Sequence, residues 1–429
     1  MISGFFQCHK HNVSEHGQQY LCGLLSSAER KNMERICEVI PGTKQTDLQH
    51  FLSDSPWDEE PIWKWVGLET ARSLGGGLKN TLLIDESGFH KKGKSSVGVA
   101  RQYNGRHGKV DNCQMGVFGT LSLGKRSGLV GSRLYLPREW VKNKKRCRAA
   151  GIPKEKQVFK TKIDLAWDLI ESTHQAGVKF GQVGIDTLYG RDQNLLLKVA
   201  ALGKVFMADV DCSQWVWLEE PAGTRRPMKI KASGAQRVDC LWKKGRGVAR
   251  PVVLRTGENG PVEVKVWRRR VWIWPGDSEM AMELWLVVSE RSDGTVKYSL
   301  SNADQEIGLE ELAQQQGQRY FVERSFQDGK SHLGMGQYQA RGWRSWHHHM
   351  ALVGLAMHFT LLEREALKEE APLLSVRDIV EFIGGWFASE MTHQDLRQRI
   401  ADRHRRRTIQ MQQKLRQAAT KVAERKIPK

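Results

Sequence analysis

Apolar positions at the start of the chain recur with helical spacing. Met33, Ile36, Val39 and Ile40 follow Ser26-Ser27-Ala28-Glu29, which has the form of a capping box, and Pro41-Gly42 stops the pattern. Thr46 is placed to cap a second short helix carrying Leu48, Phe51 and Leu52. The stretch DSPWDEEPIWKWVGLETARSL predicts a third, ended by Gly75-Gly76-Gly77. This triple glycine marks the first boundary, giving a helical region over 1–77.

The period then shortens. LKNTLLIDESG is an apolar run ending in acids, KSSVGVARQY alternates around Val97 and Val99, and DNCQMGVFGTLS and SGLVGSRLYLP read as further strands of an antiparallel meander. DLAWDLIESTHQAGV predicts a helix, QVGID a short buried strand, and KVFMADVD another strand after a second helix. Strands, helix, strand, helix, strand over 78–210 is the order of an α/β core. From 211 to 299 the pattern is β-rich, with seven tryptophans (Trp215, Trp217, Trp242, Trp267, Trp272, Trp274, Trp285) and the hairpin signal Asp293-Gly294. It predicts an all-β insertion. Helical period returns at 307–330 and 343–365, within a core segment spanning 300–365. There Trp346, Met350, Val353, Met357 and Leu361 form one apolar face. The remainder, 366–429, reads as a basic helical C-terminal region.

Composition narrows the class. Lys and Arg number 67 against 48 Asp and Glu, a net charge of +19 over 429 residues. Such an excess favours polyanionic partners, because each neutralised phosphate releases condensed counterions. Residues 391–429 contribute twelve Lys/Arg against three Asp/Glu. No apolar run approaches the roughly 20 residues needed to span a bilayer, and the N-terminus lacks the pattern of a signal peptide. Seven scattered cysteines without a C-x-x-C pair point to a reducing, cytoplasmic setting. Cys8, His9, His11, His16 and Cys22 cluster near the N-terminus at a spacing that fits no standard zinc module.

Phosphodiester cleavage by two divalent cations needs several carboxylates converging on one point. Mg²⁺ prefers hard oxygen ligands, so acids at the ends of buried strands are the residues to seek. Asp85 closes Leu82-Leu83-Ile84, and Asp186 closes Val183-Gly184-Ile185. Either could equally be a turn former or helix cap, and Asp111, Asp209 and Asp211 compete on the same grounds. Arg319, Glu323 and Lys330 fall within about 40° of one another on one helical stripe. That stripe is either a surface ion-pair row or a metal ligand flanked by phosphate-binding cations. His347-His348-His349 point in different directions along a helix, which favours structural or DNA-facing roles over a shared metal.

The stretches LLIDESGFHKKGKSSVGVARQY, GKVDNCQ, LYLPREW, GIDTLYG and RYFVERSFQDGKSHLGMGQYQARGW together resemble bacterial insertion-sequence transposases of the Asp-Asp-Glu type, from about 48 to about 360. The resemblance implies an α/β RNase H-like catalytic core interrupted by a β insertion before the last acid. It implies Asp85, Asp186 and Glu323 as catalytic metal ligands for two Mg²⁺ ions, with Mn²⁺ as a substitute. Arg319 and Lys330 match the family's phosphate-binding basic positions, while its signature tyrosine is Gln316 here and the neighbouring Tyr320 is no positional substitute. The implied partners are DNA, both transposon ends and target, with the helical 1–77 region and the insertion recognising ends. A dimer in the synaptic complex is expected. An aromatic of the insertion beside Arg268–Arg270 could stack on an unpaired base. Two rivals remain: an RNase H-like nuclease without strand transfer, and a catalytically silent DNA-binding derivative.

Overall fold

The computed structural model describes residues 2–389 except 9–10, 106–107, 224–226, 228–229, 258–259, 276–277 and 279, and scattered positions beyond. Four helices occupy the N-terminal region: α1 (Ser14–Leu25), α2 (Met33–Val39), α3 (Gln45–Ser53) and α4 (Glu60–Leu74). Two starts differ from expectation. Asn32, not Ser26, caps α2 by accepting from the Arg35 amide. The Ser26 hydroxyl turns back to the Gly23 carbonyl and closes α1 instead. Thr46 lies inside α3, which starts after Lys44 with no side-chain cap. The predicted stop after α4 is present, with Gly75 at φ 69° in the left-handed region that glycine tolerates best.

Ten strands form one sheet. They are β1 (Thr81–His90), β2 (Ala100–Asn104), β3 (Lys109–Leu123), β4 (Arg126–Leu134), β5 (Gln182–Ile185), β6 (Val205–Val210), β7 (Arg250–Gly257), β8 (Gly260–Ile273), β9 (Met282–Arg291) and β10 (Val296–Ser301). The order is β7-β8-β9-β10-β6-β5-β1-β3-β2, with β4 also on β3. β1, β3 and β4 make the predicted antiparallel meander, and β2 pairs with the opening residues of β3 on the edge that β4 shares. Val97 and Val99, expected within a strand, are buried just ahead of β2. β5 and β6 run parallel to β1, reached through α5 (Lys162–Gln175), α6 (Thr187–Gly190) and α7 (Gln193–Ala201). Thr161 and Asp164 start α5 with a reciprocal capping box. Three antiparallel strands followed by two parallel ones give the mixed α/β sheet expected of an RNase H-like core.

The insertion differs from expectation in two ways. It contains a helix, α8 (Val238–Gly245), and its strands continue the central sheet rather than standing apart. β10 pairs antiparallel with β6, Leu300 opposite Ala208. Without β10, β6 would be an unpaired edge with its backbone groups unsatisfied. The tryptophans are mostly core as expected: Trp217, Trp242, Trp274 and Trp285 are buried. Gly294 makes the predicted β9–β10 turn at φ 81°.

The helix expected over 307–330 is two, α9 (Leu309–Gly317) and α10 (Tyr320–His332). α9 packs through Leu312 and Ala313 on Val252, Val264 and Val266 of the insertion. α10 packs through Phe321 and Val322 on Leu83 of β1. A twisted sheet presents these two floors at different angles, so the helical path breaks between them. α11 (Trp343–Ala366) is buried on nearly every side from Ser345 to Leu361, not on one face, because the N-terminal helices cover its far side. α12 (Val376–Ser389) follows, and the basic tail from 391 falls largely outside the described residues. Among the described residues no helix is long and apolar enough to cross a membrane.

Candidate active site

Strand alternation decides where Asp85 points. Leu82 and Ile84 enter the core shared with α5 and α7, whereas Leu83 packs on α10, so Asp85 shares the α10 face. Register then aligns three acids. Ile84 lies opposite Ile185, and Ile185 opposite Ala208, so Asp85, Asp186 and Asp209 are the next residues on three adjacent strands. Asp186 caps α6, its Oδ1 accepting from the Leu188 amide at 2.9 Å and the Tyr189 amide at 3.3 Å.

Two of these carboxyls lie above the ordinary aspartate range. Burial pushes Asp85 up to about 7; the Asp186 charge adds to the shift and Arg319 opposes it. Asp186 is also raised, by burial first and by Glu86 next.

Arg319, at the start of α10, supplies the cation. Its Nη1 donates to Asp85 Oδ2 at 3.2 Å and its Nη2 to Glu323 Oε1 at 3.0 Å. Its Nε lies 2.9 Å from Asp209 Oδ2, a close ion pair without the alignment of a hydrogen bond. Asp85, Asp186, Glu323 and Arg319 are thus brought together. Lys330 is set apart, donating to the Gly88 carbonyl further along β1 at 3.0 Å. Of the competing acids, Asp111 pairs with His90 at the far end of β1, and Asp211 lies 3.6 Å from Arg191. Asp209 joins the cluster.

Gln316 is buried in α9. Its Nε2 donates to Ser299 Oγ at 2.8 Å, and that hydroxyl donates to Asp209 Oδ1 at 2.7 Å. Tyr320 lies instead under the Arg255 guanidinium, 3.8 Å from its ring centre. Sequence reasoning missed Glu86, which accepts from Lys162 Nζ at 2.7 Å and the Tyr189 hydroxyl at 2.9 Å. Its signal was its position: one residue past Asp85, alternation turns it to the opposite face, where α5 and α6 supply the partners. Trp285, beneath Arg268 and Arg270 at 4.3 and 4.9 Å, is buried in the core rather than open to a base.

Among the described residues no three His, Cys, Asp or Glu side chains are grouped as a metal would require. Arg319 instead bonds Asp85 and Glu323. The donor set nonetheless suits hard divalent cations: carboxylate oxygens only, one of them on a carboxyl pushed up by burial first and by the Asp186 charge next. Of the N-terminal Cys/His cluster, the side chains of Cys8, His9 and His11 lie outside the described residues.

Residues 4–271 match the family model described as DDE superfamily endonuclease, a span that includes Asp85 and Asp186 and ends before Glu323. A stretch of 177 residues is 32% identical to a protein of Microchaete diplosiphon named "Probable transposase for insertion sequence element IS701", covering 41% of this chain and 43% of that protein. With more than half its length matched and acids aligned on adjacent strands of a mixed sheet, the chain belongs to the DDE superfamily of endonucleases.

Proposed function

We propose that the chain is a DNA transposase that cuts at terminal inverted repeats and joins the freed 3′-OH to target DNA. The observation that carries this reading is the gathering of Asp85 and Glu323 on one guanidinium, beside Asp186. Asp85, Asp186 and Glu323 are the residues to hold two Mg²⁺ ions, for which Mn²⁺ should substitute. Such ions, when bound, supply Lewis acidity to the attacking and leaving oxygens. Arg319 and Lys330 serve as phosphate ligands on either side. The helical 1–77 region and the insertion recognise transposon ends, and synapsis of two ends calls for a dimer on DNA. The net charge of +19 supports a nucleic-acid partner.

The test uses DNA carrying the inverted repeats that bound the gene, incubated with the full chain in Mg²⁺. Nicking at the repeat ends together with joined products is expected from the wild type. D85N, D186N and E323Q should each bind the repeats and leave them uncut. Nicking without joined products would leave a hydrolytic nuclease, and binding without nicking a silent DNA-binding protein.

A further inference from the structure

Asp209 has no part in the three-acid reading, yet it is the most firmly held carboxylate in the cluster. The alternation that sends Phe206, Ala208 and Val210 into one core leaves Met207 and Asp209 facing α9 and α10. Asp209 is buried. It accepts from Ser299 on the neighbouring β10, itself held by Gln316, and lies 3.0 Å from Lys297 Nζ. Glu323, by contrast, has a side chain 58% exposed. Arg319 therefore touches one fixed carboxylate and two belonging to the proposed metal site.

That asymmetry matters because a guanidinium bonded to Asp85 and Glu323 competes with any divalent cation for the same oxygens. The opposing cation must leave those two acids without leaving the site, since it also serves as the phosphate ligand. We infer that Asp209 is the positioning residue for Arg319: it retains the guanidinium through Nε, so that on metal binding Nη1 and Nη2 are released from Asp85 and Glu323 and presented to phosphate. The Gln316–Ser299 chain fixes Asp209 for this task, which accounts for glutamine at the position where the family signature has tyrosine. This inference rests on the metal-site reading above.

The test is Mn²⁺ affinity of the full chain without DNA, measured by calorimetry. R319Q removes the competitor and should tighten Mn²⁺ on the order of tenfold, within the usual range of couplings between sites. D209N leaves Arg319 with only Asp85 and Glu323 and should weaken Mn²⁺ by a comparable factor, whereas D209E should restore it. In the R319Q background, D209N should change little. If D209N weakened binding equally with and without Arg319, Asp209 would act on the metal directly and the inference would be wrong. An unchanged affinity in D209N, with only the melting temperature lowered, would make Asp209 merely structural. Should D209N not fold, S299A loosens the carboxylate while keeping its charge and should weaken Mn²⁺ severalfold only when Arg319 is present. Wild-type chain that bound no Mn²⁺ would overturn the metal-site reading itself, and this inference with it.

Discussion

Two clusters of titratable side chains can be set side by side: the acids around Arg319 and the run His347-His348-His349 in α11. Both are made of residue types that ligate metals, although the sequence already favoured structural or DNA-facing roles for the histidines. Each histidine is buried beside backbone carbonyls of the fold. His347 Nδ1 faces the Trp343 carbonyl at 3.0 Å, and His348 sits between the Leu52 and Trp57 carbonyls and stacks 3.5 Å from the Trp57 ring. His349 lies between the Tyr20 hydroxyl and the Gly334 carbonyl. Burial pushes the three down to about 3, 4 and 3, so they are neutral. Two of the acids are the reverse: Asp85 and Asp186 are pushed up, first by burial and next by a neighbouring carboxylate. Buried groups that satisfy one another hold a structure together, and groups left wanting a charge are where a ligand gains most.

The largest expected effect separates the clusters by readout. D85N should lower cleavage by at least about two to three orders of magnitude, the scale of losing one electrostatic contributor in a site, while its melting temperature equals or exceeds the wild type's. A lowered melting temperature in D85N would erase the contrast. His348→Ala should do the opposite, costing about 2–4 kcal/mol of stability from lost ring packing and a stranded carbonyl, as chemical denaturation would show.

Acid sharpens the same point. The histidines are depressed in the fold, so the unfolded chain binds more protons below its own pKa of about 6.5. Their contribution is complete above that value and is lost as pH falls toward 4 and 3. At pH 5 the loss is about 2 kcal/mol per histidine. Asp85, raised to about 7, works the other way: the folded state takes up its proton first as pH falls from 7 toward 4, offsetting part of the loss. Denaturation at pH 7.5 and pH 5 should therefore show a steeper acid loss in D85N than in wild type. The smallest effect concerns neither cluster. Deleting 391–429, which carries twelve Lys/Arg and three Asp/Glu, should weaken binding to all DNA sequences, lowering the log–log salt slope by about 0.9 per lost phosphate contact.

Much of the site could be read in advance because its signals are local. An apolar run ending in an acid marks the strand end at Asp186, whereas β1 runs on past Asp85 to His90; residues 319, 323 and 330 declare one stripe at helical spacing. What escaped depends on partners remote in sequence. Ser26 carried the letters of a capping box, but only the path of the chain decides that it closes α1 while Asn32 opens α2. Nothing near Asp209 announces that Arg319 will reach it, or that Ser299 will pair beside it. The insertion's alternation predicted strands correctly, yet pairing with β6 is a choice of edge that alternation does not encode. Lys330 keeps its predicted helical stripe, but the lean of α10 along β1 takes its ammonium to Gly88.

The β6–β10 seam has a consequence for how the polypeptide reaches its native state. Met207 finds its partner Ser301 only after the intervening residues have been made. A nascent chain that has just emerged past β6 therefore carries six strands of the sheet with an apolar border open on one side. Such long-range closure is slow, and an open border of this kind invites pairing with a second chain. The insertion thus acts as its own chaperone in cis. Chains truncated near residue 210, or shortened between 211 and 299, should accumulate as aggregates rather than as small soluble cores, whatever their catalytic residues.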